Sequence, residues 1–257
     1  MAEIKRVGVV GAGLMGHGIA QVAAEAGYDV VLRDIDQGFV DKGRAAIDTQ
    51  LRKAVEKGKK SQEDADAALA RVTGTTELAA LADCDIVVEA IPEVLDVKRA
   101  LWAELDPIAA EHTIFATNTS ALSVIDQAAV TQRPDRFVGL HFFSPVQRMA
   151  LVEVVRAITT SDETTAAAEA LAREYGCDIR SIEEIEAAAD VDAVVICTPT
   201  DTHADLIERF ARAGKAVFCE KPIDLSVERV KQCLRVVEET GATLMVGFNR
   251  RFDPDFM

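Results

Sequence analysis

Val9-Val10-Gly11-Ala12-Gly13-Leu14-Met15-Gly16 sets three glycines in G-x-G-x-x-G spacing at the end of an apolar run. The spacing suits a dinucleotide. Gly11 permits a tight turn, Gly13 leaves room for a pyrophosphate to approach the backbone, and Gly16 lets the following helix pack closely on the strand. Phosphates would sit at the positive end of that helix, which makes Leu14 and Met15 cofactor-binding positions together with Gly11, Gly13 and Gly16. Asp34 closes the next apolar run, about 20 residues on, where a carboxylate accepts the ribose hydroxyls. Its charge would repel a 2′-phosphate, so NAD is expected over NADP, although Arg33 beside it pulls the other way. The alternative is a glycine turn in a sheet protein with no ligand.

These residues need strands and helices to hold them. Lys5 to Val10 and Asp29 to Leu32 read as strands flanking a helix from Leu14 to Ala26, a βαβ opening. Asp36 to about Val72 is charged and reads as a helical hairpin broken near Lys57-Gly58-Lys59-Lys60-Ser61. Strands follow at Asp85–Glu89, Thr113–Ala116, Arg136–His141 and Leu151–Val155, with helices at Val94–Ala110 and Thr164–Tyr175. After Gly176 the rhythm shortens. Ser181-Ile182-Glu183-Glu184 is a capping box. Strands are expected at Asp192–Cys197, Ala216–Cys219 and Thr243–Phe248, and helices at Thr202–Ala213 and Ser226–Thr240. The alternation predicts an α/β fold: a Rossmann-like doubly wound parallel sheet, then a second parallel half-Rossmann βα unit of about four strands. The domains are expected at 1–175 and 176–257. A parallel half sheet leaves an unpaired edge and bare apolar faces, so that edge should be met by the first unit's sheet or by a second copy of the chain in a homodimer.

The 257 residues allow one large domain or two small ones, and 49% hydrophobic content suffices for a core. A net charge of −15 argues against nucleic acid and anionic membrane surfaces as partners. The five cysteines, Cys84, Cys177, Cys197, Cys219 and Cys233, form no C-x-x-C pair and no metal spacing. They point to reduced thiols in a cytoplasmic protein without a metal. The N-terminal apolar run passes straight into the glycine loop, unlike a signal peptide, and no apolar stretch approaches the ~20 residues of a membrane span.

The run from Gly11 to Gln21 resembles the 3-hydroxyacyl-CoA dehydrogenases, especially the bacterial 3-hydroxybutyryl-CoA type. So do Val87-Val88-Glu89-Ala90-Ile91-Pro92-Glu93, Thr117-Asn118-Thr119-Ser120-Ala121, Gly139-Leu140-His141-Phe142-Phe143-Ser144-Pro145 and Leu151-Val152-Glu153-Val154-Val155. The match covers roughly residues 3 to 175. The resemblance implies a Rossmann-like domain followed by an all-helical dimerising domain that closes over an acyl-CoA. It implies His141 as general base toward the substrate 3-hydroxyl, suited by an imidazole near neutrality. Glu153 would orient His141, and Ser120 would bond the reacting oxygen or the nicotinamide side. Glu93 and Lys98 would lie near the nicotinamide ribose. Ser144 stands where the family has Asn, a shorter reach toward the cofactor. Lys53, Lys57, Lys59 and Lys60 would either meet CoA phosphates or form a solvated helix face. Alone, a His at a strand end is more often merely hydrogen-bonded.

From about Arg173 the chain resembles a different family, the inositol 2-dehydrogenase branch of the glucose–fructose oxidoreductase-like proteins. The residues that carry this are Asp192 to Asp205, Gly214 to Pro222 and Gly247-Phe248-Asn249-Arg250-Arg251-Phe252-Asp253-Pro254. The resemblance places Thr198, Pro199 and His203 toward a nicotinamide and makes Lys221 a cofactor and substrate contact. Its glycine loop, first two strands and β-sheet substrate domain are not in this chain, so Lys221 is expected to be a passenger. The first family's helical domain does not follow Tyr175 either. Such a join inside one helix is most simply an engineered chimera, with a misassembled or naturally recombined gene as the alternatives. Three functions follow: an NAD-binding 3-hydroxyacyl-CoA dehydrogenase fragment, weak or inactive without its substrate domain; a fold-recombination scaffold with no catalytic function; or, least favoured because its acid–base pair is missing, an inositol-type dehydrogenase.

Overall fold

The computed structural model describes residues 4–177 and 180–248. The chain divides into two compact units, Met1–Ile179 and Arg180–Met257.

In the first unit, β1 (Arg6–Val10) leads through the glycine loop into α1 (Leu14–Glu25) and β2 (Asp29–Arg33). The charged hairpin is α2 (Gln37–Glu56) and α3 (Gln62–Ala70), broken where the sequence places the break, with Ser61 capping α3 by accepting from Asp64 N. A strand that the sequence reading omits, β3 (Val72–Thr75), pairs parallel with β2. Its Val-Thr-Gly-Thr sequence has no apolar run to announce it. Next come β4 (Ile86–Glu89), α4 (Leu95–Leu105), β5 (Ile114–Thr117), α5 (Val124–Ala128), β6 (Phe137–Phe142), β7 (Val152–Val155) and α6 (Asp162–Glu174). α4 stops at Leu105, short of the expected Ala110, because Pro107 has no N–H with which to continue the ladder.

The seven strands run in the order β3-β2-β1-β4-β5-β6-β7, parallel except for β6 against β7. Alternate strand residues feed two cores, as the two-residue period of a strand requires. Val7, Val9, Leu32, Ile86, Val88 and Leu140 face one core with Ile19, Ile47 and Leu171 from the helices. Val10, Val31, Val87, Phe115 and Phe137 face the other, around Trp102. Trp102 stacks on Phe115 at 5.0 Å and meets Phe137 edge-on at 5.0 Å.

The second unit contains α7 (Ile182–Ala187), β8 (Ala193–Ile196), α8 (Thr200–Arg212), β9 (Ala216–Glu220), α9 (Val227–Thr240) and β10 (Leu244–Gly247). The capping box at Ser181 and Glu184 is present. The expected half sheet of about four strands is corrected to three among the described residues, ordered β10-β9-β8 and parallel. Only three apolar runs exist there, and the capping box commits the residues before β8 to a helix. One face of this sheet packs on α8 and α9 through Ile196, Ile207, Phe210, Val217 and Cys219. The alternate residues Val195 and Met245 are 69% and 48% exposed. No helix among the described residues is long and apolar enough to cross a membrane.

Candidate functional site: a dinucleotide loop and a histidine–glutamate dyad

Gly11 has φ 100°, and a Cβ there would lie 2.6 Å from Ala90 O, so neither its conformation nor its space admits another residue. A Cβ on Gly16 would fall 1.6 Å from Gly11 O, which forces helix and loop together. Gly13 differs: a Cβ there meets nothing within 4 Å. The protein therefore does not need glycine at 13 for its own packing, and the space is left to a ligand. Gly13 is the N-cap of α1 and has no side chain to cap it, and the first turn holds no acidic residue. The donors of Leu14, Met15 and Gly16 are thus available to an anion. Asp34 sits beside them. Its Oδ2 accepts from Ala12 N at 2.7 Å and its Oδ1 from Ile35 N at 2.7 Å, and each oxygen keeps a lone pair for a ribose hydroxyl. Arg33 donates from Nε to Thr76 O at 3.2 Å.

Lys98 and Glu93 are ion-paired with each other. Lys98 is 1% exposed, and its Nζ lies 2.7 Å from Glu89 Oε1 and 3.1 Å from Glu93 Oε2. Glu89 is itself fully buried at the end of β4 and also accepts from the Thr117 hydroxyl and, at 3.2 Å, from Ile91 N. Glu93 Oε1 accepts from the Thr119 hydroxyl, from Ser120 N at 3.0 Å and from Ala121 N at 3.3 Å. Burial acts to raise the Glu93 carboxyl. The Thr119 hydroxyl, Lys98 and the Ser120 N–H outweigh it and hold its pKa below the usual glutamate value. The loop 118–121 is thereby pinned to the start of α4. The Ser120 hydroxyl is exposed and has no hydrogen-bond partner among the described residues.

β6 and β7 pair His141 with Glu153 in register, and His141 Nδ1 lies 2.8 Å from Glu153 Oε2. A carboxylate can only accept, so Nδ1 carries the hydrogen and Nε2 offers its lone pair. The His141 side chain is 16% exposed and that of Glu153 48%. Phe143 packs on the imidazole at 4.6 Å. Ser144 is exposed and makes no hydrogen bond among the described residues.

Residues 6–179 match the family model of the 3-hydroxyacyl-CoA dehydrogenase NAD-binding domain. The chain belongs to this family. Residues 136–248 match a second model, that of an oxidoreductase family with an NAD-binding Rossmann fold, so the two matches overlap. The 3-hydroxybutyryl-CoA dehydrogenase of Bradyrhizobium diazoefficiens is 42% identical over 186 residues, 72% of this chain and 64% of that protein. The inositol 2-dehydrogenase of Rhizobium meliloti is 72% identical over 102 residues, 40% of this chain and 31% of that protein. A crystal structure of (S)-3-hydroxybutyryl-CoA dehydrogenase from Ralstonia eutropha superposes with a TM-score of 0.67 at 46% identity, covering 68% of this chain and 62% of that one. The chain therefore spans less than two thirds of each of these relatives. Both family models are NAD-binding domains, and NAD is the cofactor of this dehydrogenase domain. The free helix N-terminus and the space at Gly13 fit it.

The second unit of this 3-hydroxyacyl-CoA dehydrogenase relative carries its motif residues differently. His203 is 2% exposed, with Nδ1 2.7 Å from Pro222 O and Nε2 2.7 Å from Thr198 O. Both ring nitrogens face backbone carbonyls, of which the neutral ring can donate to one, so His203 sits buried between two loops. Glu220 and Lys221 are exposed, and Lys221 N donates to Glu220 Oε2 at 3.3 Å. Asn249 to Pro254 lie outside the described residues. Among the described residues no three or more of His, Cys, Asp and Glu are grouped to hold a metal. Sequence reasoning gave no role to Asn118, Thr117, Thr119 or Glu89. The signal lies in the Val87–Glu93 motif for Glu89 and in the Thr117–Ala121 motif for the other three.

Proposed function

We propose that the chain is an NAD-dependent oxidoreductase domain of 3-hydroxyacyl-CoA dehydrogenase character, acting between a 3-hydroxyacyl-CoA and NAD. The observation that carries this is the His141–Glu153 contact of 2.8 Å in the unit that also holds the glycine loop. The N–H groups of Leu14, Met15 and Gly16 and the Asp34 carboxylate hold NAD, with Glu93, Lys98 and Ser144 nearer its nicotinamide end. NAD, when bound, supplies the hydride acceptor. Ser120 bonds the substrate oxygen, and His141 Nε2 takes its proton while Glu153 steadies the imidazolium. Turnover is weak or absent, because a βα unit and not a helical substrate domain follows Tyr175 in this chain.

The domains are 1–175 and 176–257, joined at the C-cap of α6. Two families matched within one chain favour a second reading, an engineered chimera that serves as a fold-recombination scaffold without catalysis. The buried free thiols of Cys84, Cys177, Cys219 and Cys233 support a cytoplasmic setting, the charge of −15 opposes nucleic acid and anionic membranes, and exposed Val195 and Met245 support a homodimer through the second sheet.

Acetoacetyl-CoA-dependent oxidation of NADH separates the two readings. A rate that disappears in His141→Ala supports the dehydrogenase. No rate with wild-type protein that binds NADH supports the scaffold.

A further inference from the structure

β5 and β6 are paired only as far as Thr117 and Gly139. Beyond that point the chain after β5 turns into the 118–121 loop, while β6 runs on through Leu140, His141 and Phe142. A strand that outruns its neighbour leaves backbone groups without ladder partners. The Phe142 N–H is nevertheless bonded, donating to Asn118 Oδ1 at 2.8 Å. The Asn118 side chain thus adds a rung where the β5 backbone no longer supplies one. The backbone of Asn118 is held from the other side, its N–H donating to Glu89 O at 3.0 Å. Thr119, Ser120 and Ala121 are bonded in turn to Glu93. The loop is therefore fixed on β4 and α4, and its grip on β6 is Asn118.

Phe142 follows His141 directly, and the peptide unit between them is planar and stiff. Any drift of the Phe142 backbone moves His141 relative to both Glu153 and Ser120. We propose that Asn118 is a positioning residue for the His141–Glu153 dyad: it holds β6 in line through His141 and sets the base against the Ser120 hydroxyl. This rests on the reading of His141 as the base. Asn118 touches no reacting atom and acts through the Phe142 N–H. The task needs an acceptor of this reach, which the amide oxygen supplies. Aspartate keeps an acceptor of the same reach. Leucine has the shape and no acceptor, and serine falls short.

The test uses the full chain labelled with 15N, as wild type, Asn118→Asp, Asn118→Leu and Asn118→Ser. Two readouts are taken: hydrogen exchange of the Phe142 amide and the ring-nitrogen shifts of His141, which report its tautomer. In wild type and Asn118→Asp the Phe142 amide is protected and the Nδ1–H tautomer dominates. In the Leu and Ser variants, loss of one hydrogen bond lowers Phe142 protection roughly tenfold and mixes the tautomers, with the Trp102 indole signal unmoved as a check on the fold. The Ser variant decides the matter if the Leu variant does not fold. Unchanged protection, an unchanged tautomer, or an Asp variant that behaves like Leu overturns the proposal. If the chain turns over acetoacetyl-CoA, kcat falls about 10- to 100-fold in the Leu and Ser variants with NADH affinity unchanged. The spectroscopic readouts need no turnover, so their failure is distinct from failure of the dehydrogenase reading.

Discussion

The two units are built from the same βα grammar, and they differ in what they finish. The first has seven strands with a buried core on each face and motif residues that meet. Its glycine loop leaves space at Gly13, and its His141 has Glu153 as partner. The second has three strands and one core, with Val195 and Met245 exposed on the other face. Its motif histidine is buried between two backbone carbonyls and its motif lysine is exposed. A stretch of matching sequence brings local structure with it, but a site needs the strands that bring distant residues together.

The sharpest way to break this contrast lies in the first unit. Lys98→Met leaves Glu89 buried without its cation, and the domain should lose ~3–5 kcal/mol of stability. Pairing it with Glu89→Gln should return most of that loss. Denaturant unfolding of the single and double variants measures this, and a single variant as stable as wild type contradicts the buried pair.

Acid should act on the first unit through Glu93 and Asp85, whose pKa values both lie below the usual ones. For Asp85 burial acts upward and is outweighed by the N–H groups of Lys5 and Arg6 and by His112. A depressed carboxyl contributes stability above its unfolded pKa and loses it as pH falls through the folded one. Stability should therefore decline below about pH 4.5, the ordinary glutamate value. Glu93→Gln should make the decline shallower, read as melting temperature against pH. An unchanged slope goes against the network.

In the second unit a comparable intrusion should do little. Val195→Lys on the exposed face should change folding stability by no more than ~0.5 kcal/mol. If that face joins two copies, the variant should shift sedimentation toward monomer. Dimer retained in the variant removes the second sheet as the contact.

Much of this was legible in the sequence, for reasons particular residues make plain. The glycine spacing with Asp34 announces the loop because each position meets its own steric demand. The hairpin break at Lys57 to Ser61 and the capping box at Ser181 are local chemistry and appear where expected. The rest depends on register. β3 is four residues of Val-Thr-Gly-Thr that become a strand only because β2 lies alongside. The resemblance places Lys98 near the nicotinamide ribose, but its ion pairs with Glu89 and Glu93 appear only once the fold brings the three together. Asn118 cannot reveal its bond to Phe142 before it is known that β6 outruns β5.

The most direct test is a calorimetric NADH titration of the full chain beside its Gly13→Val variant. Added atoms at position 13 meet nothing in the protein within 4 Å of the Cβ, so the fold should survive while the phosphate space is filled. One site per chain in wild type and none in the variant is the expected result. Binding that persists in Gly13→Val, or a wild type that binds nothing, would contradict the assignment of the cofactor to the first unit.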